Sequence, residues 1–461
     1  MNRVSRRAWA LVVLIVVLLG GMCFFLGEYV VNAETWVSHT ASPHLHSSTG
    51  LGSGTVVDRS GVTLLTMGGS TAYADSASVR KATLHWLGDR EGKISAPVVA
   101  GYADEMSRYN LLTGLYSYSG AQSGQIELTL SAKLQATALE AMGSSQGVIA
   151  VYNYKTGEIL CAVTTPTYDP DDPPQITEEE LESNEAYDGL YWNRFTRSTY
   201  IPGSIFKIVT TAAALETIDD IGEQTFECTG SVAYGPDLVT CERAHGTVEL
   251  KTAMAKSCNC AYAQIAGLLG ADTLETYARR FGITESLRFD GVTTQAGHFD
   301  LSEAAAVEVA WAAIGQYTDQ VNPAQYLTLM GAIAGGGTAA EPYLVSRVTS
   351  GEDAVYRASS TMTGRVVSRE TADALRELMA NNVESTYGSY NFPGLTVCAK
   401  SGTSQVGGGQ TSNALFSGFV ADEEYPLAFI VVVENGGYGS STCVPILSKV
   451  LAACKAEMDN Y

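Results

Sequence analysis

Tyr200-Ile201-Pro202-Gly203-Ser204-Ile205-Phe206-Lys207 is the stretch on which the reading of this chain turns. Ile205, Ile208, Val209, Ala212 and Ala213 follow a helical period, so Ser204 is expected to open a buried helix. Pro202-Gly203 marks its entry. Residues at i and i+3 of a helix are neighbours, so Ser204 and Lys207 would face one cleft. A serine hydroxyl is a weak nucleophile until a base takes its proton. A lysine can be that base where burial or nearby positive charge lowers its pKa. The helix N-terminus also favours the oxyanion of acyl transfer. This spacing is weakly specific by itself. Ser78-Val79-Arg80-Lys81 repeats it with no apolar helix evident behind it, so Ser78 is expected to be a surface residue.

Two further elements lie downstream. Ser257-Cys258-Asn259 follows a helix-like segment, Val248 to Lys256, and could bring a hydroxyl and an amide to the cleft. The hydroxyl would relay a proton between lysine and a leaving nitrogen, and the amide would hold a peptide backbone. An ordinary helix junction would look the same, and Ser389-Tyr390-Asn391 is a chance match. Lys400-Ser401-Gly402-Thr403 continues an alternating run from Leu395. A glycine on a strand lets a substrate backbone approach closely. Lys400 would supply positive charge and Thr403 a hydroxyl for a substrate carboxylate, unless the segment is an exposed turn. The order carries more weight than any piece: Ser-x-x-Lys, then Ser-x-Asn 53 residues on, then Lys-Ser-Gly 143 residues after that.

Around these motifs the texture is α+β. Ile126, Leu128 and Leu130 alternate as in a strand, and Ser131 through Met142 reads as a helix. Gly147–Tyr152 and Glu158–Val163, separated by the turn Asn153–Gly157, predict a β-hairpin. Asp169 to Glu185 is an acidic, proline-containing loop leading into a short helix, where Thr177 and Glu180 can form a capping box. Leu395–Ala399, Ala414–Val420 and Leu427–Val433 predict strands, and Val444–Met458 a terminal helix. Strands at both ends of a helical middle imply an antiparallel sheet flanked by helices.

This set of motifs resembles the class B, monofunctional penicillin-binding proteins, in particular their shorter members. The resemblance extends over roughly residues 50 to 450. Gly54-Thr-Val-Val-Asp58-Arg59-Ser-Gly61 is similar to the family's segment just outside the membrane. Leu128-Thr-Leu130 with Leu134-Gln135, Thr156–Leu160 and Pro166–Pro170 resemble the entry to its transpeptidase domain and its first hairpin. Asn193-Arg194, His245-Gly246, Gly315-Gln316, Asn322-Pro323, Gly335-Gly336, Phe416–Phe419 and Val431–Asn435 fall in the family's order. The resemblance implies a penicillin-binding/serine β-lactamase-like transpeptidase fold, an antiparallel sheet with flanking helices plus an all-helical region. It implies that Ser204 is acylated by a D-Ala-D-Ala stem peptide and by β-lactams. Lys207 would then be the general base, Ser257 the proton shuttle and Asn259 the holder of the acyl chain. Lys400 and Thr403 would hold the terminal carboxylate, Ser401 and Gly402 would belong to the same substrate-binding strand, and the backbone N–H groups of Ser204 and Thr403 would form the oxyanion hole. No metal or cofactor is implied, whereas a membrane glycan polymerase is implied as a partner. The chain departs from the family at Ile205, where threonine is usual and which should point along the helix, at Tyr317, where glycine is common, and at the oxidisable Cys258.

The 461 residues imply more than one unit, and 46% hydrophobic content allows large cores. A net charge of −21 argues against nucleic-acid binding, which needs a basic footprint. Arg3, Arg6 and Arg7 precede an uncharged apolar run, Ala8 to Gly27. A bilayer is spanned by about 20 such residues, and the arginines would stay inside. The rival reading is a cleaved signal peptide ending near Val31-Asn32-Ala33, but the run exceeds the usual ~7–15-residue signal core. The expected division is a cytoplasmic tail (1–7), an anchor (8–27), a stalk and small accessory domain (28–124) and a transpeptidase domain (125–461), with the catalytic part extracytoplasmic. The short segment before residue 125 is too small for a glycosyltransferase domain. His39, His44 and His46 read as part of a solvated stalk rather than a metal site. Of nine cysteines, Cys228 and Cys241 are the best local disulfide candidates, and Cys258-Asn259-Cys260 is too tight for a standard zinc knuckle.

Three other readings compete. A membrane-bound β-lactamase or β-lactam sensor shares the chemistry but lacks the accessory segment with Asp58-Arg59. A non-catalytic scaffold for wall synthesis would not need complete motifs. A Ser-His-Asp hydrolase is disfavoured, since no Gly-x-Ser-x-Gly elbow is present and His245 reads as structural.

Overall fold

The computed structural model describes residues 2–37, 54–67, 71–102, 109–110, 115–116, 124–351, 353–406 and 409–460. The three stalk histidines fall outside the described residues. Helix α1 (Asn2–Val37) contains a 23-residue stretch, Arg7–Tyr29, with mean hydropathy 2.8, long and apolar enough to cross a membrane. Its side chains from Leu11 to Gly27 are exposed, as lipid contact would require.

Beyond it, β1 (Gly54–Val57), β2 (Thr63–Met67) and β3 (Ala72–Tyr73) precede α2 (Ala77–Leu87). β4 (Gly124–Leu128) and α3 (Ala132–Met142) lead into the hairpin β5 (Gly147–Asn153) and β6 (Ile159–Thr165). The helical middle holds α4 (Lys207–Thr217), the strands β7 (Thr225–Cys228), β8 (Ser231–Tyr234), β9 (Asp237–Thr240) and β10 (Gly246–Glu249), and the helices α5 (Leu250–Ala255), α6 (Asn259–Leu269) and α7 (Pro323–Ala334). After β11 (Val345–Ser350), β12 (Asp353–Arg357) and α8 (Arg369–Asn382), the chain ends in β13 (Val397–Ser404), β14 (Asn413–Val420), β15 (Leu427–Val433) and α9 (Gly439–Met458).

The central sheet is fully antiparallel in the order β13-β14-β15-β5-β6. Every residue of β5, β6, β14 and β15 is buried, because helices cover both faces. Ile149, Val151, Phe416, Phe429 and Val431 pack with α3 and α9, whose Leu134, Leu447 and Leu451 share that layer. The alternate residues Val148, Ala150, Tyr152, Ile430 and Val432 pack with Leu327, Met330 and Ile333 of α7. A strand's period of two divides one apolar run between two cores.

A second sheet runs β12-β11-β4-β1-β2-β3. Here β1 pairs in parallel with β4, and β4 pairs with β11, so chain segments from three distant places share it. Asp58 joins this sheet to α3: its carboxylate accepts from Ser60 N and Val62 N at 2.8 Å and from Ala132 N at 2.9 Å. The last of these is an unpaired donor of a helix N-terminus, where a carboxylate is favoured.

Several expectations change in detail. Val248 and Glu249 belong to β10, and the helix starts only at Leu250. A helix does follow Ser78, with Val79, Ala82 and Leu84 buried, although Ser78 itself is exposed. All nine cysteines are free thiols, so Cys228 and Cys241 are not bonded to each other.

Candidate active site

Ser204 does not sit on the first α-helical turn. It lies in a 3-10 turn, Gly203–Phe206, which feeds directly into α4 at Lys207. Tight 3-10 turns commonly start helices. The turn is drawn against the edge strand β13 by two glycines. A Cβ on Gly203, whose φ is +54°, would come within 2.6 Å of Thr403 O, and one on Gly402 within 2.6 Å of Pro202 O. No side chain fits between these backbones, so Ser204 and Thr403 are held side by side. Ile205 is fully buried and packs toward Gly402 rather than simply along the helix.

Ser257 is placed by a helix ending. Its N–H donates to Met254 O at 3.2 Å, and Cys258 N–H donates to Ala253 O at 2.8 Å. This is the Schellman pattern closing α5, in which the residue at Ser257's position is usually glycine because φ is positive. Ser257 adopts φ +52° with a side chain in place. A strained non-glycine residue costs about 1–3 kcal/mol and is characteristic of functional positions. Asn259 then opens α6.

Around this point the side chains converge. Lys207 Nζ donates to Asn259 Oδ1 at 2.7 Å, Ser257 O at 2.8 Å and Ser257 Oγ at 3.0 Å. Lys400 Nζ reaches the same Ser257 Oγ at 3.1 Å and donates to Ser401 O at 2.9 Å. Ser257 Oγ thus bridges two lysine nitrogens. Both lysines are wholly buried. Burial, with the neighbouring Lys400 charge second, holds Lys207 well below the usual ammonium range. Burial alone draws Lys400 to about 7. The three acceptors around Lys207 favour its charged form, but desolvation outweighs them.

Of the residues expected from sequence, Ser204, Ser257, Asn259, Ser401 and Thr403 line one cleft of about 860 Å³. Lys207 and Lys400 stand buried behind it, and Gly402 lies against the turn that carries Ser204. Thr403 O accepts from Gln316 Nε2 at 3.0 Å, and Thr403 Oγ1 accepts from Gly439 N at 3.3 Å. Ser78 and Ser389-Tyr390-Asn391 take no part in this group.

Tyr387 was not anticipated. Its hydroxyl accepts from Ser401 N at 3.0 Å, shares a hydrogen bond with Ser401 Oγ at 3.0 Å and lies 3.5 Å from Lys400 Nζ. It is aimed there by a single π turn, Val383–Tyr387, at the end of α8, a feature found often at functional sites. One of 24 tyrosines in an unpatterned polar run carries no sequence signal. Also unforeseen, Cys228, Cys241, His245 and Cys258 bring their ligand atoms within 4.8 Å of one another beside the second motif.

Comparison with known proteins gives one consistent picture. The family model for the penicillin binding protein transpeptidase domain matches residues 147–452. The peptidoglycan D,D-transpeptidase PbpA of Mycobacterium tuberculosis is 29% identical over 376 residues, covering 74% of this chain and 74% of that protein. A solved D,D-transpeptidase domain of a peptidoglycan glycosyltransferase from Eggerthella lenta superposes with TM-score 0.74 at 25% identity, covering 87% of this chain and 99% of that one. Penicillin-binding protein A of M. tuberculosis, solved as a ceftriaxone acyl-enzyme, has the same fold, with TM-score 0.74, 23% identity and coverage of 89% and 99%.

Proposed function

Because the chain belongs to the penicillin-binding protein transpeptidase family, we propose that Ser204 is the nucleophile through which it cross-links peptidoglycan stem peptides. The protein is a serine D,D-transpeptidase of cell-wall synthesis. The observation that carries the assignment of roles is the pair of buried lysines joined through Ser257 Oγ beside Ser204.

Neutral Lys207 takes the Ser204 proton as Oγ attacks the carbonyl carbon of the penultimate D-Ala. The N–H groups of Ser204 and Thr403 stabilise the oxyanion. The C–N bond to the terminal D-Ala breaks, and the leaving nitrogen collects its proton from Lys207 by way of the Ser257 hydroxyl. Lys400, with Ser401 and Thr403, holds the terminal carboxylate. Asn259 holds the acyl chain. An acceptor amine then attacks the acyl-enzyme, its proton passes back along the same path, and Ser204 is released. A β-lactam enters by the same first step and leaves Ser204 acylated.

The membrane anchor is the part of α1 at residues 8–27, with the catalytic part outside and residues 28–124 forming a stalk and pedestal for the transpeptidase domain, 125–461. A membrane glycan polymerase that supplies strands for cross-linking is the expected partner. Recovery of the full-length protein from membranes without any co-purifying integral polymerase would remove that last point. The catalytic roles are tested by intact mass spectrometry of the full-length protein with penicillin. A stable adduct mapping to Ser204, absent in Ser204→Ala, is expected, and an adduct persisting in Ser204→Ala would overturn the assignment.

A further inference from the structure

Cys228, Cys241, His245 and Cys258 come from four separate places: the end of β7, the residue after β9, the residue before β10, and the junction of α5 with α6. His245 Nδ1 sits 3.4 Å from Cys241 Sγ and 3.6 Å from Cys228 Sγ. Tetrahedral zinc, with Zn–S near ~2.3 Å and Zn–N near ~2.0–2.1 Å, sets S···N edges of about 3.6 Å and S···S edges of about 3.8 Å. The two S···N edges already have that size, and all four ligand atoms lie within 4.8 Å of one another. The backbone fixes the arrangement independently of the side chains, since His245 N donates to Cys228 O at 3.1 Å and Cys241 N to Gly230 O at 2.9 Å. Cys228 and Cys258 are buried, while Cys241 lines the cleft and gives an ion a way in.

We propose that these four side chains form a structural zinc site that braces the Ser257-Cys258-Asn259 segment, a role that rests on the transpeptidase reading above. Three thiolates and one imidazole make a closed, soft, four-coordinate set, which selects zinc over hard cations. The thiols lose their protons on binding. A disulfide serves the group less well: it would use two sulfurs and leave the third thiol and the imidazole without a purpose. Cys258 is the middle residue of the motif, and its neighbour Asn259 donates through Nδ2 to Thr240 O, next to Cys241, at 2.9 Å. A metal bond at Cys258 would therefore hold Ser257 in its strained conformation and tie the motif to the β8–β9 hairpin.

The test uses full-length protein purified in detergent under reducing conditions. Metal content should be close to about one zinc per chain, and titration of chelated protein with cobalt(II) should give the absorption bands of tetrahedral cobalt thiolate. Both should be lost in Cys241→Ser and kept in Cys454→Ala, whose thiol lies elsewhere in the core. Chelation should slow penicillin acylation roughly tenfold, reversibly on adding zinc. Protein with reduced thiols that is acylated by penicillin yet binds neither zinc nor cobalt would overturn the site, as would a Cys228–Cys241 or Cys241–Cys258 disulfide found by peptide mapping. An acylation rate indifferent to zinc would overturn the bracing role. Because metal content is read separately from acylation, protein that holds zinc without reacting with penicillin would retain the site and fail the transpeptidase reading.

Discussion

Lys400 is wholly buried, and its charge is decided within a few ångströms by Ser257, Ser401 and Tyr387. With burial drawing it to about 7, its protonation changes across neutral pH. In the roles proposed above, acylation needs Lys207 neutral and Lys400 charged. The penicillin acylation rate should therefore rise with pH as Lys207 loses its proton and fall as Lys400 does, giving a bell. Tyr387→Phe removes an acceptor from the Lys400 ammonium, so its alkaline limb should move to lower pH while the fold persists. An unchanged profile would mean that the phenol only packs against Phe416, its T-shaped neighbour at 5.1 Å. Both lysines are depressed relative to the unfolded chain. Between about 7 and the unfolded value near ~10.5, the unfolded state binds more protons, so stability should increase with pH through that window.

The helix ending at Ser257 trades stability for a hydroxyl. Glycine suits a positive φ without strain, so Ser257→Gly should raise stability by about 1 kcal/mol. The same change removes the bridge between Lys207 and Lys400 and should slow acylation by roughly 10²–10⁴. Urea denaturation and stopped-flow acylation of one preparation read both quantities. A destabilised Ser257→Gly would show that the hydroxyl's hydrogen bonds outweigh the backbone strain. The edge position of β13 matters in the same way. Its outer side is left for the turn that carries Ser204, while Lys400 pairs with Ser417 and Gly402 with Leu415 on the inner side.

Across the whole molecule, one ion pair ties the segment leading to Ser204 to the end of the central sheet's middle strand. Arg194 Nε and Nη2 donate to both oxygens of Glu434 at 2.8 and 2.9 Å, and Tyr200 Oη donates to the same carboxylate at 2.8 Å. The remaining guanidinium donors hold Gly189 O and Asp188 O at 3.0 Å, fixing the segment just after the acidic loop. Glu434 directly follows β15, and the chain then runs to Gly439, which contacts Thr403. Arg194 is nearly inaccessible, with 4% side-chain exposure, so removing it leaves the Glu434 carboxylate without its counter-charge. Arg194→Met should cost about 3–5 kcal/mol in urea unfolding. A loss below about 1 kcal/mol would place the pair among ordinary surface bridges.

Much of this protein could be read locally. The Ser204–Lys207 spacing, the alternating run through Lys400, the hairpin at Asn153–Gly157 and the strand Leu427–Val433 each lie within one turn or one strand. So does the Thr177–Glu180 capping box, formed as expected. Such features are fixed by periods of 3.6 and 2 and by turn chemistry, which act between residues close in the chain. The tertiary structure decided what depends on distant segments meeting: Ser257 Oγ shared by lysines from two motifs, Tyr387 turned in by a π turn, the parallel pairing of β1 with β4, and four sulfur and nitrogen atoms gathered from three strand ends and a helix junction. Sequence spacing carries no information about such meetings, because the loops between them close at a cost that varies only slowly with their length.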